Sequence, residues 1–258
     1  MKKDLKNFLF VGTLILIALA AIACAPSGAP GAPTSGAPQA AATADPNAAT
    51  VSGKINFTGT APQPKKIAMD SEPGCAKQYT EGPFTENVVV KGGTLQNVFV
   101  YVKEGLGGKT FPVPQQAALL DQVGCRYVAH VFGIQAGQNL TIRNSDDNLH
   151  NIHPKPKVNK EFNIGQPRKG METTKTFDKP EIMIPLACEV HSWMNGYVGV
   201  LDNPFYAVSG ADGTFTIKGL PPGDYVIEAW HEEYGTQTLK VSVSAKETKQ
   251  IEFTFKGS

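Results

Sequence analysis

Neither sign of charge prevails in this chain: 24 Lys and Arg stand against 23 Asp and Glu, for a formal charge of +1. No basic stripe is available to neutralise phosphates, which leaves no nucleic acid among the expected partners. Like charges never run together into an acidic or basic tail. Absent too are the His-Glu-x-x-His pair of metalloproteases, the phosphate-binding Walker loop, the dinucleotide fingerprint and the nucleophile elbow. Helical periodicity is missing after the first 24 residues, where no stretch signals more than a turn or two of helix. Cysteine (4), methionine (5) and histidine (5) are scarce. What remains, 41% apolar residues over 258 positions, suffices for one large or two small β-rich domains.

Residues 1–24 read as an export signal. Lys2, Lys3 and Lys6 form the positive region and Phe8 to Ala20 the apolar core. Ala21-Ile22-Ala23-Cys24 resembles a lipobox, which implies a bacterial lipoprotein with lipid on Cys24. The apolar run falls short of the roughly 20 residues a membrane span needs. The expected location is therefore the cell envelope, periplasmic or on the extracytoplasmic face, with a lipid anchor as the contact to membrane. Without the leader's Lys2, Lys3, Lys6 and Asp4 the formal charge becomes −1. Residues 25–50 are almost entirely Ala, Pro, Gly, Ser and Thr, and cannot bury enough surface to offset their ordering entropy. They are expected to be a disordered tether, reaching about 80 Å if extended.

Strand signals follow. Val51 to Phe57 alternates, and Asn97 to Val102 is a nearly continuous apolar run that suits a strand covered on both faces. Between them a Pro- and Gly-rich region holds Cys75, with a short strand at 88–90. Further strands are expected at 125–134, 139–144, 149–152, 173–177, 181–187 and 196–201, a spacing typical of a β-sandwich. The tail adds a hairpin turn at Ala211-Asp212-Gly213, then strands at 214–217, 225–230, 238–243 and 250–255.

The chemistry is concentrated in two stretches. Cys188, His191 and Met194 place a thiolate, an imidazole and a thioether on one short loop, and His150 supplies a second imidazole 38 residues earlier. Two imidazoles, one thiolate and a weak thioether form the ligand set of a mononuclear electron-transfer copper site. Each residue alone has an ordinary explanation in packing or turn capping. The four together do not.

The Cys188-x-x-His191-x-x-Met194-x-Gly196 loop and the His150-Asn151-x-His153 corner resemble the cupredoxins, amicyanin and plastocyanin among them. Over residues 111–202 the resemblance implies a Greek-key β-sandwich holding one type 1 copper ion. His150, Cys188 and His191 would be its trigonal ligands and Met194 its axial one. Asn151 would tie the two ligand loops together. His153 is the alternative ligand, set second to His150 by the resemblance. Electrons would pass through a solvent-facing edge of His191, in an apolar docking patch to which Trp193 and Pro185 contribute.

Asp212-Gly213-x-Phe215 and Leu220-Pro221-Pro222-Gly223-x-Tyr225 resemble carboxypeptidase regulatory-like, or transthyretin-like, domains. That implies a second small β-sandwich over residues 203–258. The strands of residues 51–110 look like opening strands of the same module. A discontinuous outer sandwich, a tandem arrangement and extra strands on the copper domain are the three possible organisations.

Of the four cysteines, Cys75 and Cys125 are left over, and in an oxidising compartment two such thiols pair. A second metal site combining them with His130 has no supporting spacing. The expectation is thus an exported, all-β electron carrier cycling Cu(II)/Cu(I), without catalytic turnover of its own. Its partner would be a redox protein such as a cytochrome c or a periplasmic oxidoreductase. Copper capture or delivery, and a non-redox structural or carbohydrate-binding role, stay open. Five histidines are too few for a multicopper oxidase, and no second ligand cysteine near Cys188 allows a binuclear copper centre.

Overall fold

The computed structural model describes residues 45–258. The leader, Cys24 and most of the proposed tether lie outside the described residues. Residues 49 and 50, the end of that tether as read from composition, instead begin the first strand.

Eighteen strands and one four-residue helix follow. The first are β1 (Ala49–Thr58), α1 (Pro73–Ala76), β2 (Val90–Lys91), β3 (Thr94–Leu95) and β4 (Phe99–Glu104). Next come β5 (Ala118–Gln122), β6 (Tyr127–Val128), β7 (Val131–Gln135), β8 (Leu140–Asn144), β9 (His150–Pro154), β10 (Ile164–Gln166), β11 (Glu172–Lys175), β12 (Glu181–Ala187) and β13 (Asn195–Leu201). The last are β14 (Tyr206–Val208), β15 (Thr214–Leu220), β16 (Gly223–His231), β17 (Gly235–Val243) and β18 (Thr248–Lys256). Over the described residues the protein is all-β apart from α1.

Four sheets form two sandwiches, and the first is discontinuous in sequence. β1 pairs antiparallel with β15 and parallel with β18, so Val51 lies opposite Ile217 and Ile55 opposite Phe253. The facing sheet runs β14-β4-β16-β17. One core joins Val51, Ile55 and Val100 from the N-terminal part to Ile217, Ile227 and Phe253 from the tail. The second sandwich, β5 to β13, is inserted between β4 and β14. Its sheets run β10-β9-β12-β13-β7 and β11-β8-β5-β6.

β4 shows why its sequence reads as apolar on both faces. Val100 and Val102 point into the outer core, while Phe99 and Tyr101 point into a separate cluster with Tyr206 of neighbouring β14 and with Val131 and Leu201 of the inserted sandwich. That cluster is the seam between the sandwiches. Two glycines make it possible: a Cβ on Gly133 would lie 2.4 Å from the Tyr206 ring, and one on Gly199 would lie 2.5 Å from the Phe99 ring.

Two expectations require correction. The strand read over 125–134 is two strands in different sheets, β6 pairing with β5 and β7 with β13, because the chain crosses the sandwich between them. The turn at Ala211–Gly213 forms, with Gly213 N–H donating to Gly210 O at 2.9 Å, but it joins β14 to β15 in opposite sheets and makes no hairpin. The hairpin of the tail is β16–β17. Residues 59–89 form an irregular cap with α1 and an isolated bridge between Lys66 and Phe84.

Candidate metal centre

β9 and β12 run side by side, with Ala187 opposite His153 and Leu186 opposite Pro154. His150 opens β9 and Cys188 follows β12 directly, so the pairing brings them to one end of the sandwich. The loop from Cys188 to Met194 is closed by its own backbone: Cys188 N–H donates to Met194 O at 3.0 Å, and Met194 N–H to His191 O at 2.9 Å. That fold turns His191 back over Cys188.

The result is a buried convergence of nitrogen and sulfur. His150 Nδ1 lies 3.1 Å from His191 Nδ1, which lies 3.8 Å from Cys188 Sγ. Ligand atoms of the three all fall within 4.8 Å of one another. His150, His191 and Cys188 are 0, 1 and 5% exposed. Met194 is buried in the same apolar cluster as Cys188. Thiolate and imidazole donors at this mutual distance fit a single soft or borderline transition-metal ion.

Alternation along β9 separates the two candidate histidines. In a strand, residues an odd number apart point to opposite faces. His150 faces inward, whereas His153 faces the surface, where its Nδ1 meets the Glu189 carboxylate at 2.6 Å and its Nε2 meets Glu161. His153 is not part of the convergent group. Asn151, on the outward parity, accepts the Glu189 N–H at 2.6 Å and donates to Asn163 Oδ1 at 2.6 Å, so it joins β9 to the Cys188 loop. Tyr127 Oη, 2.6 Å from Asn151 O and 2.9 Å from Ala187 O, joins the same two strands from below.

Asp146 is a site residue that the sequence analysis does not single out, since Asn144 to Asp147 also makes good turn chemistry. Its carboxylate accepts Gly124 N–H at 2.9 Å and Cys125 N–H at 2.7 Å, and holds His150 Nε2 at 2.8 Å. Fixing the Nε2 proton on Asp146 leaves the Nδ1 lone pair for an ion, the usual arrangement around metal-bound imidazole. The available signal was an acid four residues before a ligand histidine.

Electrostatics follow from these contacts. Burial alone would raise the Cys188 thiol, but His150 and the backbone N–H groups of Asn151, His191 and Val190 hold it below its ordinary range. Burial opposes the charged form of His150, yet Asp146 and Cys188 raise it. His191 is lowered, by burial first and by the neighbouring His150 second. A thiolate favoured before any ion arrives lowers the cost of metal uptake.

The outer edge of His191 is not open to solvent, contrary to the sequence-based expectation. Cys75 and Cys125 form a disulfide, and Cys75 Sγ lies 3.6 Å from His191 Nε2. The cap thereby seats its sulfur on the imidazole. Trp193 closes the remaining side, its indole 5.2 Å from the His191 ring and its Nε1–H donating to Cys125 O at 3.1 Å. Trp193 and the exposed Pro185 line a groove of about 750 Å³ between the cap and the β16–β17 hairpin, with Phe84, Arg126 and Tyr234.

Residues 199–256 match the model of the carboxypeptidase regulatory-like domain. The match starts within β13 and runs through the tail strands of the outer sandwich. Among solved structures, the chain is similar to a purple cupredoxin from Nitrosopumilus maritimus at 22% identity and a TM-score of 0.28, covering 33% of this chain and 99% of that one. An amicyanin variant in the copper(I) state is matched at 21% identity and a TM-score of 0.30, over 39% of this chain and 97% of that one. A copper-containing nitrite reductase from Thermus scotoductus is matched at 18% identity and 0.29, over 38% and 25%. No curated protein matches the sequence.

Proposed function

We propose that this protein is an envelope-tethered electron carrier holding one type 1 copper ion between His150, Cys188, His191 and Met194. The observation that carries this reading is the buried meeting of His150 Nδ1, His191 Nδ1 and Cys188 Sγ at one end of a rigid sandwich. Copper, when bound, supplies a one-electron Cu(II)/Cu(I) couple. Asp146 orients His150, and three backbone N–H groups stabilise the Cys188 thiolate. Asn151 and Tyr127 lock the two ligand-bearing strands together. The cap and Trp193 exclude water from His191. Ligands held this firmly move little when charge changes, which favours fast electron exchange over turnover of a bound substrate.

In this reading the leader exports the chain, lipid on Cys24 anchors it, and a cytochrome c or periplasmic oxidoreductase is the partner. Docking falls to the surface around Trp193 and Pro185, since His191 itself is covered. Weak redox encounters need little buried area. The test is optical. Cu(II) added to the metal-free protein is expected to give an intense visible thiolate-to-copper band that Cys188→Ala abolishes; a band that survives that substitution, or none in the unmodified protein, overturns the assignment.

A further inference from the structure

His191 takes part in two clusters of potential ligands. Its Nδ1 faces His150 and Cys188, while its Nε2 faces the disulfide: one donor atom from each of Cys75, Cys125 and His191 also lies within 4.8 Å of the others. Asp146 and His150 form a third group with Cys125, so a carboxylate flanks the sulfur pair. All six residues are buried. As a disulfide the sulfurs are weak acceptors and cannot ligate as thiolates. As thiolates beside an imidazole and a carboxylate, they would form a donor set of high affinity for soft cations.

We infer that the Cys75–Cys125 disulfide masks a second metal site, made of both sulfurs and His191 Nε2, which takes a thiophilic cation of the Cu(I) class once a dithiol opens the bond. The dithiol supplies two electrons and two protons and leaves as its own disulfide. On metal binding the two thiol protons pass to solvent. With the first site empty, His191 would keep its proton on Nδ1, facing His150 Nδ1, and offer the Nε2 lone pair to the second site; with both sites filled, that proton too would pass to solvent.

Access is a matter of the cap. Cys75 sits in α1, and around it the cap meets the inserted sandwich through Tyr79 Oη–H donating to Gly124 O at 2.7 Å and the Arg126–Glu86 ion pair, besides the disulfide itself. Its far end is fixed by Asn87 donating to Glu233 and by Val88 in the outer core. Lifting it breaks almost no strand ladder, and segments with few such bonds open at low cost. The inference goes beyond the electron-carrier reading and shares with it the ligand His191 and the flanking Asp146.

The experiment counts Cu(I) bound per chain, anaerobically and against a competing Cu(I) chelator, before and after treatment with a dithiol that is then removed. The unmodified chain is expected to rise from one ion to two. Cys188→Ala should rise from none to one, and the double variant Cys75→Ser with Cys125→Ser should stay at one throughout. A reduced chain with two free thiols that still binds one ion overturns the inference. So does loss of the native near-ultraviolet circular dichroism on reduction, because the site requires the fold. A chain that binds none before reduction and gains one afterwards would instead sink the carrier reading and leave this one standing.

Discussion

In the outer sandwich, the sheet of β1, β15 and β18 faces β4 and β16 across a core made mostly of valine, isoleucine and phenylalanine, with His231 and Glu228 of β16 as its buried histidine and carboxylate. The inserted sandwich begins the same way around Leu120, Ile142 and Val198, but one end of its interior is given over to His150, Asp146, Cys188 and His191. The two share an architecture and differ in what they bury. Apolar burial gives stability without chemistry, whereas a buried polar cluster is costly unless it is fully paired. Here it is paired, through Asp146, Asn151, Tyr127 and the loop backbone. A cluster of that cost points to a site.

The comparison breaks most visibly at Asp146. Asp146→Ala strips two buried N–H groups and the His150 imidazole of their acceptor. Metal affinity should fall 10- to 100-fold, and the metal-free protein should lose about 3 kcal/mol in denaturant unfolding. Retention of both would mean that His150 is oriented by something else.

Acid sharpens the contrast, because each sandwich buries a histidine with the opposite response. His231 in β16 is held down at about 4, by burial first and by repulsion from the like charge of His130, against the pull of Glu233. Its Nδ1 accepts Glu233 N–H at 3.2 Å and its Nε2 has no partner. Unfolded, it would take a proton near pH 6.5, so its contribution is fully present above 6.5 and is lost as pH falls to 4. At roughly 1.4 kcal/mol per pKa unit, the loss is about 3 kcal/mol. His150 is raised, so its contribution is present in acid and fades as pH rises through its folded value. The stability of the metal-free protein against unfolding should therefore fall between pH 7 and 4, and His231→Phe should flatten that slope; an unchanged slope would remove His231 as the cause.

Smaller effects test how far the pairing is local. Asn151→Ala removes two side-chain hydrogen bonds between β9 and its neighbours. It should cost about 1–2 kcal/mol and speed metal loss to a chelator. Glu228, buried in the outer sandwich, accepts the Tyr101 hydroxyl at 2.5 Å and Lys103 at 2.6 Å. Glu228→Gln should cost about 1 kcal/mol and leave the visible band and metal affinity unchanged. A change in the band would show that the two halves are coupled through the seam.

The sequence was most readable where chemistry and periodicity are local. The Cys188 to Met194 loop, the alternation of β8 and the double-sided run of β4 can each be read within a few residues. Asp146 was hidden because Asn144 to Asp147 is also a good turn, and a turn residue's second role shows only when its neighbours are placed. The disulfide over His191 was hidden for another reason: Cys75 is 116 residues from it, and no local pattern encodes that approach. The parallel pairing of β1 with β18, which closes the outer sandwich, is as remote. β5, with Ala118-Leu119-Leu120-Asp121-Gln122, follows a Pro-rich stretch and exposes Leu119 while burying Gln122, so its sequence shows no apolar alternation.

The polypeptide leaves the outer sandwich at Glu104 and re-enters it at Tyr206, and these two ends belong to neighbouring antiparallel strands, with Tyr206 opposite Tyr101. Exit and return at one doorway make the inserted half a graft rather than a continuation. A short turn could bridge the cut and leave every strand of the host in register. The doorway also fixes the graft at both of its roots, so the host carries it as a firmly mounted head rather than a bead on a string.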